Sequence, residues 1–250
     1  FRRERPHAQL TELGQRMLPL LKQCYDSALS ARSLASAIKR GEVGSLRLAL
    51  SQSIDPSLVM PHVLELGKVF SGLELKLYRG SGAEVLAYLK RGDAELALAS
   101  DLGEDWERLD SWPLFTEDFH LVVSTVHRFA NTPSISVTDL KDERIVVRNF
   151  CESTPKLLEL LRLREIDVSR CHETGADSDL VALVEAGVGV AMIPRSTKAP
   201  DSLLRISVDT LPLSRSIQLY GVAGRQRTAV AATLMKMLRA FDWSRYAATT

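Results

Sequence analysis

Residues 173–194, ETGADSDLVALVEAGVGVAMIP, predict a helix that leads into a buried strand. Asp177 and Ser178 have the short oxygen side chains that favour a helix N-cap. Apolar residues at helical spacing follow, and Gly187 stands where a glycine that tolerates positive φ ends a helix. The apolar run at 188–193 then indicates a strand. A helix that passes through a glycine into such a strand is half of a βαβ unit, and ligands bind beyond the ends of such strands in open α/β sheets.

The same stretch contains the spacing D-x-x-x-L-V-x-A-G-x-G-V-A-x-x-P, from Asp179 to Pro194. This spacing resembles the effector-domain signature of LysR-type transcriptional regulators, and so does GSGAEVLAYLKRGDAELALA at 80–99. The resemblance covers essentially the whole chain. It implies an α/β, periplasmic-binding-protein-like fold, in which two Rossmann-like subdomains are joined by two crossover strands and preceded by a long linker helix.

The N-terminal segment has a different pattern. Residues 1–7, FRRERPH, are basic and show no helical period. From 10 to 38, apolar or small residues recur at steps of three and four, which favours packing against another helix, and Pro19 predicts a kink in it. By resemblance, residues 1–9 are a remnant of the DNA-binding wing, and residues 10–40 are the linker and dimerisation helix.

Because the chain begins at Phe1 inside this basic segment, without Met, we expect a fragment that lacks most of the winged helix-turn-helix. Promoter DNA would be bound through that missing N-terminal domain, since a recognition helix is what reads base edges. The fragment alone is therefore not expected to bind DNA specifically.

From Ser45 onward, strands and helices alternate, which predicts a parallel sheet. The strands of the second half include one expected at 167–172. The expected division is subdomain I at 45–120 and 222–250, and subdomain II at 121–221, with the strands near 119–124 and 216–223 as the crossovers.

Composition narrows the function classes. The net charge of +1 argues neither for nor against a nucleic-acid partner. Cys24, Cys151 and Cys171 make no disulfide framework, which favours a reducing cytoplasm. No apolar run approaches the length of a membrane span, and no signal peptide is visible. The histidines have no metal-ligand spacing, and neither G-x-S-x-G nor a paired-carboxylate motif occurs, so we expect no enzyme, metal or cofactor.

Four predicted helix starts follow strands that point toward one cleft between the subdomains. They lie at 51–56, 81–82, 153–155 and 177–178. Free N–H groups and the helix dipole at such ends favour an anion or a carboxylate. The predicted effector-binding residues are Ser51, Gln52, Ser53, Ser81, Ser100, Arg148, Asn149, Cys151 and Asp177, among which Arg148 is a candidate bidentate partner for a carboxylate. For any single serine here, simple helix capping is the favoured explanation, and the set as a whole is better evidence for a ligand site than any one member. Asp101 and Asp177 argue against a strongly anionic effector.

Cys151 has a second interpretation. It lies in the loop between a predicted strand at 144–148 and the helix that Pro155 opens, where the helix N-terminus and Arg148 favour a thiolate. By resemblance, peroxide-sensing LysR-type regulators carry a reactive cysteine at a comparable place. Their partner cysteine has no counterpart here, because Cys171 lies on the next predicted strand. A small, partly buried residue that lines the cleft is the simpler interpretation.

These observations predict a ligand-responsive bacterial transcriptional regulator of LysR type, located in the cytoplasm. A small effector, expected to carry a carboxylate, binds in the cleft and alters DNA binding by a homodimer or homotetramer. No membrane partner is expected. Two alternatives stay open. One is a redox-sensing regulator acting through Cys151. The other is a solute-binding protein of a transporter, which shares the fold but needs an export signal and has no use for the linker helix.

Overall fold

A computed structural model describes residues 2–4, 7–9, 11–18, 20, 21, 24, 25, 28 and 44–247. Strands β1 (Arg2–Glu4) and β2 (His7–Gln9) pair antiparallel. Residues 12–18, 20, 21, 24, 25 and 28 are helical, and we call them α1. The rest of the helix expected at 10–38, including the kink at Pro19, lies outside the described residues.

Strands and helices alternate through most of the remaining chain, as the sequence predicts. The strands are β3 (Ser45–Ser51), β4 (Glu74–Gly80), β5 (Leu96–Ala99), β6 (Leu109–Ser124), β7 (Ser134–Ser136), β8 (Ile145–Arg148), β9 (His172–Thr174), β10 (Val190–Pro194), β11 (Leu203–Asp209) and β12 (Ser214–Val222). The helices are α2 (Met60–Val69), α3 (Gly82–Arg91), α4 (Thr154–Leu163), α5 (Asp177–Glu185) and α6 (Ala229–Ala240), with 3-10 turns at Pro56–Leu58, Val137–Asp142 and Val168–Arg170.

One long strand joins two halves of a continuous sheet, whose strand order is β4-β3-β5-β12-β6-β10-β8-β9. Residues 109–118 of β6 lie within the stretch that pairs with β12, and residues 119–122 pair with β10. We call β4, β3, β5 and β12, together with residues 109–118 of β6, half I. Half II consists of β10, β8, β9, β11 and β7, together with residues 119–124 of β6. The expected fold, two α/β halves joined by crossover strands, is confirmed. The division at 45–120, 121–221 and 222–250 stays a prediction.

Helices cover both faces of each half. In half I, α2 and α6 bury Leu66 and Leu234 against β3, and α3 buries Leu86 on the opposite face. In half II, α4 buries Leu161 on one face and α5 buries Leu180 on the other. Helices on both faces explain why the central strands are apolar throughout, as in β5 (LALA) and β10 (VAMIP). No described helix is long and apolar enough to cross a membrane.

The predicted helix-to-strand unit is present, with one shift. Gly187 ends α5 at φ 71°, as expected. The N–H groups of Gly187 and Val188 bond to the carbonyls of Val184 and Leu183, which is a Schellman motif. Because Val188 belongs to this motif, it is 39% exposed, and the strand expected at 188–193 begins only at Val190.

The strand expected at 167–172 is wrong in most of its length. Residues 168–170 form a 3-10 turn, and the strand is His172–Thr174. The cause is local, because the Asp167 carboxylate accepts the Ser169 N–H at 3.0 Å and caps that turn. The sequence reading also missed β7, β11 and the first part of β6.

Candidate functional site

Serine hydroxyls and one carboxylate meet where the two halves face each other. Ser51 ends β3, Ser53 follows it, and Ser100 comes directly after β5, so all three lie at the carboxyl edge of parallel strands in half I. The Glu152 carboxylate reaches them from the loop after β8. One of its oxygens accepts from Ser51, and the other accepts from Ser53 at 2.5 Å and from Ser100 at 3.2 Å. Three predicted site residues thus surround a carboxylate, and it belongs to the protein itself.

A buried ion pair supports these serines from behind. Arg215 donates to Glu117 at 2.8 Å, and the two side chains are 2% and 0% exposed. The same guanidinium donates to the Ser53 hydroxyl at 2.9 Å. Ser196 satisfies the Glu117 carboxylate further, through its backbone N–H at 2.6 Å and its hydroxyl at 2.9 Å. Because burial removes water from competition, this network fixes Ser53 firmly.

The four predicted helix starts differ in what they offer. Asp55 caps the 3-10 turn of half I by accepting the Ser57 N–H at 2.8 Å. Ser81 and Glu84 form a capping box at α3. The starts of α4 and α5 have no capping side chain among the described residues. Side chains thus cap both starts in half I, whereas in half II the Thr154 N–H bonds to the Cys151 carbonyl at 3.0 Å.

The expected capping by Asp177 and Ser178 is wrong. The N-cap of α5 is Ala176, and Asp177 is its first helical residue. Asp177 instead pairs with Arg148 at 2.9 Å, and Ser178 donates to Asp179 at 3.3 Å. A buried guanidinium is the stronger partner for the carboxylate, because the bond is charge-assisted on both sides.

Arg148 lies 2% exposed at the end of β8. Burial alone would lower the pKa of its guanidinium, but the neighbouring Cys151 and Asp177 raise that pKa, so the group stays charged. Its Nη2 atom is buried and has no hydrogen-bond partner among the described residues. Phe150 lies against the guanidinium, with its ring centre 5.2 Å away. Half II therefore presents a cation whose hydrogen-bonding capacity is only partly used.

A cavity of about 460 Å³ adjoins these groups. Its lining residues come from both halves: Gln52, Arg79, Gly80, Glu84, Phe150, Ala176 and Asp177. The Arg79 guanidinium donates to the carbonyls of Ile54 and Gln52, both at 2.6 Å. Burial lowers the pKa of Arg79, and the carboxylates of Asp177, Asp55 and Glu152 oppose that shift. The cavity is large enough for a small molecule and has both signs of charge in its wall.

The other predicted site residues are placed as follows. Gln52 bridges the halves through Nε2, which donates to the Gly175 carbonyl at 3.0 Å. The Ser81 hydroxyl is used in the capping box. Asn149 is exposed, and its backbone N–H bonds to Thr174. Cys151 is 5% exposed and packs in the apolar core of half II. Asp101 is exposed and accepts the Gly103 N–H at 2.8 Å.

The sequence reading missed Glu152, Arg79, Arg215 and Glu117. Arg215 and Glu117 gave no signal, because they lie just before the strands predicted near 216–223 and 119–124, and only the structure places them inside β12 and β6. Tyr220 was missed as well. Burial, then Asp101, Glu152 and Asp105, raise the pKa of its phenol to about 12, so it remains a neutral hydroxyl beside the site. No three His, Cys, Asp or Glu residues of the described chain form a group that would hold a metal ion.

The arrangement of two halves around a ligand-sized cleft agrees with a comparison to protein families. The family model for the LysR substrate binding domain matches residues 39–242. The chain belongs to this LysR family. Transcriptional dual regulator GltC of Bacillus subtilis is 22% identical over 239 residues, which are 90% of this chain and 77% of that protein. The hydrogen peroxide-inducible genes activator of Dickeya chrysanthemi is 27% identical over 188 residues, which are 70% of this chain and 58% of that protein. The chain thus spans little more than half of the activator's length.

Solved structures show the same fold. The regulatory domain of CcmR from Synechocystis PCC6803, in complex with 2-PG, has a TM-score of 0.66 and 21% identity, over 79% of this chain and 96% of that one. The effector-binding domain of QuiR, in complex with shikimate, has a TM-score of 0.65 and 19% identity, over 78% and 95%. The LysR-type, periplasmic-binding-protein-like fold expected from the sequence is therefore confirmed.

Proposed function

We propose that this protein is a ligand-responsive transcriptional regulator of LysR type, whose cleft binds a small effector through a carboxylate. One observation carries the effector class: the hydroxyls of Ser51, Ser53 and Ser100 already hold a carboxylate, that of Glu152. The Arg215 guanidinium lies behind these hydroxyls and donates to Ser53 at 2.9 Å, so a cation supports the place where the carboxylate lies. The adjoining cavity of about 460 Å³ accommodates the rest of the effector.

Ser53→Ala tests this site. Loss of one hydrogen bond to a charged group is worth about 1.5–3 kcal/mol, so the affinity of an unobstructed site for a carboxylate effector should fall by roughly tenfold or more, and by less where Glu152 competes for the same serines. The first probes are shikimate, 2-PG and simple aromatic carboxylates in a thermal-shift screen, followed by calorimetry on any that bind. Ser57→Ala is the matched control, because its hydroxyl lies in the same segment but does not bind Glu152. Equal losses in both variants would place the binding site elsewhere.

We also propose that α1 pairs with a second copy of the chain, which gives the dimer or tetramer that a regulator of this family needs. Its described apolar side chains are open to solvent, with Leu13 71%, Met17 41% and Leu20 56% exposed. Apolar residues at that spacing on one exposed face suit a helix–helix contact. The double variant Leu20→Asp with Ala28→Asp should lose oligomeric mass in light scattering, whereas Gln15→Asp should not. Unchanged mass in the double variant would reject this interface.

The likeness to peroxide-inducible activators favours redox sensing by Cys151 as a second candidate function. The contact between Cys151 and Arg148 supports it. Its burial at 5% and the raised pKa of Cys171, caused by burial and then by Asp167 and Glu173, oppose it. Peroxide titration with mass spectrometry distinguishes the two functions. Modification of Cys151 well above the rate of a free cysteine would support redox sensing, and a rate at or below it would remove this candidate.

A further inference from the structure

Glu152 crosses from one half of the protein to the other. It follows β8 in half II, and the serines that it contacts all belong to half I, at sequence separations of 101, 99 and 52 residues. Glu152 is only partly buried, whereas Ser51 and Ser53 are 0% and 1% exposed. The serines are thus a fixed part of half I, and the carboxylate is the part that can leave.

The serine hydroxyls are prepared to receive a carboxylate. Arg215 donates to the Ser53 hydroxyl oxygen at 2.9 Å, and the Ser53 N–H donates to the Ser51 hydroxyl oxygen at 3.2 Å. A hydroxyl whose oxygen already accepts a bond has its one proton left to donate. The two hydroxyls lie 3.1 Å apart, so either can donate to the other, but with Glu152 in place both donate to its carboxylate. The cation and the N–H that support these hydroxyls both belong to half I.

We propose that Glu152 is an internal ligand that occupies the effector's carboxylate position and must be displaced when the effector binds. This inference rests on the proposed carboxylate site. A tethered group acts at an effective concentration in the millimolar range or above, so it competes continuously with a free effector. The effector binds only those molecules from which Glu152 has left. Its apparent dissociation constant therefore equals the intrinsic value divided by the fraction of such molecules.

The competition has two consequences for function. First, residue 152 determines effector chemistry, because a neutral molecule cannot replace the charge that the serines lose when Glu152 leaves. Second, displacement breaks hydrogen bonds that connect half I to half II. Binding an effector therefore changes how the halves are held together, which is a differential interaction of the kind that a conformational signal requires.

Acetate tests the proposal, because it is the Glu152 carboxylate without its chain. The variants are Glu152→Ala, Glu152→Ala with Ser53→Ala, Ser53→Ala alone, and Glu159→Ala as the matched control. Glu159 is an exposed residue of α4, so its replacement makes the same change of charge close by. Acetate dissociation constants are measured by NMR titration against chloride at equal ionic strength. Glu152→Ala should bind acetate about tenfold more tightly than the wild type and Glu159→Ala, which corresponds to a site that is open in about a tenth of wild-type molecules. Adding Ser53→Ala should remove the gain.

Three results would overturn the proposal. If Glu152→Ala binds acetate no more tightly than the wild type, while Ser53→Ala binds it more weakly, the serines are a carboxylate site but Glu152 does not compete. If Glu152→Ala binds more weakly, Glu152 belongs to the ligand cage instead. If Glu152→Ala shows no gain and Ser53→Ala also changes nothing, the proposed carboxylate site itself fails. Should Glu152→Ala not fold by circular dichroism, Glu152→Gln replaces it, since it keeps the shape and removes the charge. The amide should also bind acetate more tightly than the wild type, and equal binding rejects the competition.

Discussion

Each half has an ion pair near the cleft, and the two pairs differ in burial. In half I, the pair of Arg215 and Glu117 lies beneath the serine hydroxyls at 2% and 0% exposure. Half II offers charges at the surface of the cleft, where Arg148 is buried but its partner Asp177 is 45% exposed. Helix starts follow the same division, because Asp55 and Ser81 cap the starts in half I and no described side chain caps α4 or α5 in half II.

This difference in burial bears on the part that each half would play in binding an effector. A buried hydroxyl network costs little when it is empty, because each group retains partners on its own side. The charges of half II need either each other or a ligand, and Arg148 keeps one buried nitrogen without a hydrogen bond among the described residues. These contacts support the proposal that half I is a preformed anion site and that half II is the side whose contacts change.

The largest expected effect comes from breaking the buried pair of half I. Arg215→Met leaves Glu117 buried with Ser196 as its one remaining hydrogen-bond partner among the described residues. Removing one partner of a buried pair costs about 3–5 kcal/mol, because a buried charge is left uncompensated. Urea denaturation measures the loss.

Asp177→Asn in half II is the comparison for that measurement. Asparagine keeps a side-chain oxygen that can accept from Arg148, so the buried guanidinium is not left without a partner, and the expected loss is about 1–2 kcal/mol. Similar losses for the two variants would show that the two ion pairs are equally buried in solution, which would contradict the division between a fixed and a changeable half.

A smaller effect is expected from adding a methyl group at the edge of each half. A Cβ on Gly82, at the start of α3, would lie 2.4 Å from the Asp101 carbonyl oxygen and 3.0 Å from the Leu102 Cα. Both are backbone atoms, so the helix or the loop must move, at a cost of about 1–3 kcal/mol in unfolding free energy. A Cβ on Gly175 in half II has its nearest neighbour, the Asn149 Oδ1, at 4.0 Å. Gly175→Ala should change stability by less than about 0.5 kcal/mol.

Thermal unfolding of Gly82→Ala and Gly175→Ala measures the two losses of stability, and acetate binding by the same variants is a second measurement. Because Gly82 lies beside the loop that carries Ser100, Gly82→Ala should also weaken acetate binding. A Gly82→Ala protein as stable as the wild type would mean that the edge of half I is looser than its packing indicates.

The sequence predicts the parts of this fold that depend on neighbouring residues. The apolar run and glycine of 173–194 locate α5 and β10 to within two residues, because helix period and chain reversal are local properties. Prediction from the sequence fails for β11 and the first part of β6. Their polar residues form strands only because neighbouring strands pair with them.

The candidate site is predicted on the same terms. Ser51, Ser53 and Ser100 were found, because each follows a recognisable parallel strand. Glu152 was not, since nothing near it in the sequence indicates a contact with a serine 101 residues away. Asp177 was assigned to a cap for a similar reason. Its competing partner, Arg148, lies 29 residues earlier, and only the folded chain brings the two together.

The smallest expected effect concerns one histidine in each half. Burial lowers the pKa of His62 in half I, where the ring packs edge-on against Phe241 at 4.8 Å. Burial also lowers the pKa of His120 at the start of half II, and the cations of Arg195 and Arg205 add to that shift against Asp118 and Glu117. In both cases the unfolded chain binds a proton more readily than the folded chain does. Stability is therefore fully present above the ordinary histidine value of 6.5 and is lost as the pH falls below it toward the folded pKa.

Urea unfolding between about pH 5 and 7 measures the slope of unfolding free energy against pH. His62→Phe and His120→Gln should each make that slope shallower, because each removes one of the two protons that unfolding takes up. Salt separates the halves, since screening acts on the contribution of the arginines and not on burial. The difference in slope between the wild type and His120→Gln should shrink as sodium chloride is raised toward 1 M, where the screening length is about 3 Å. The difference in slope between the wild type and His62→Phe should stay constant. If both respond equally to salt, the protonation of His62 is controlled by charges as well, and the two halves do not differ in this respect.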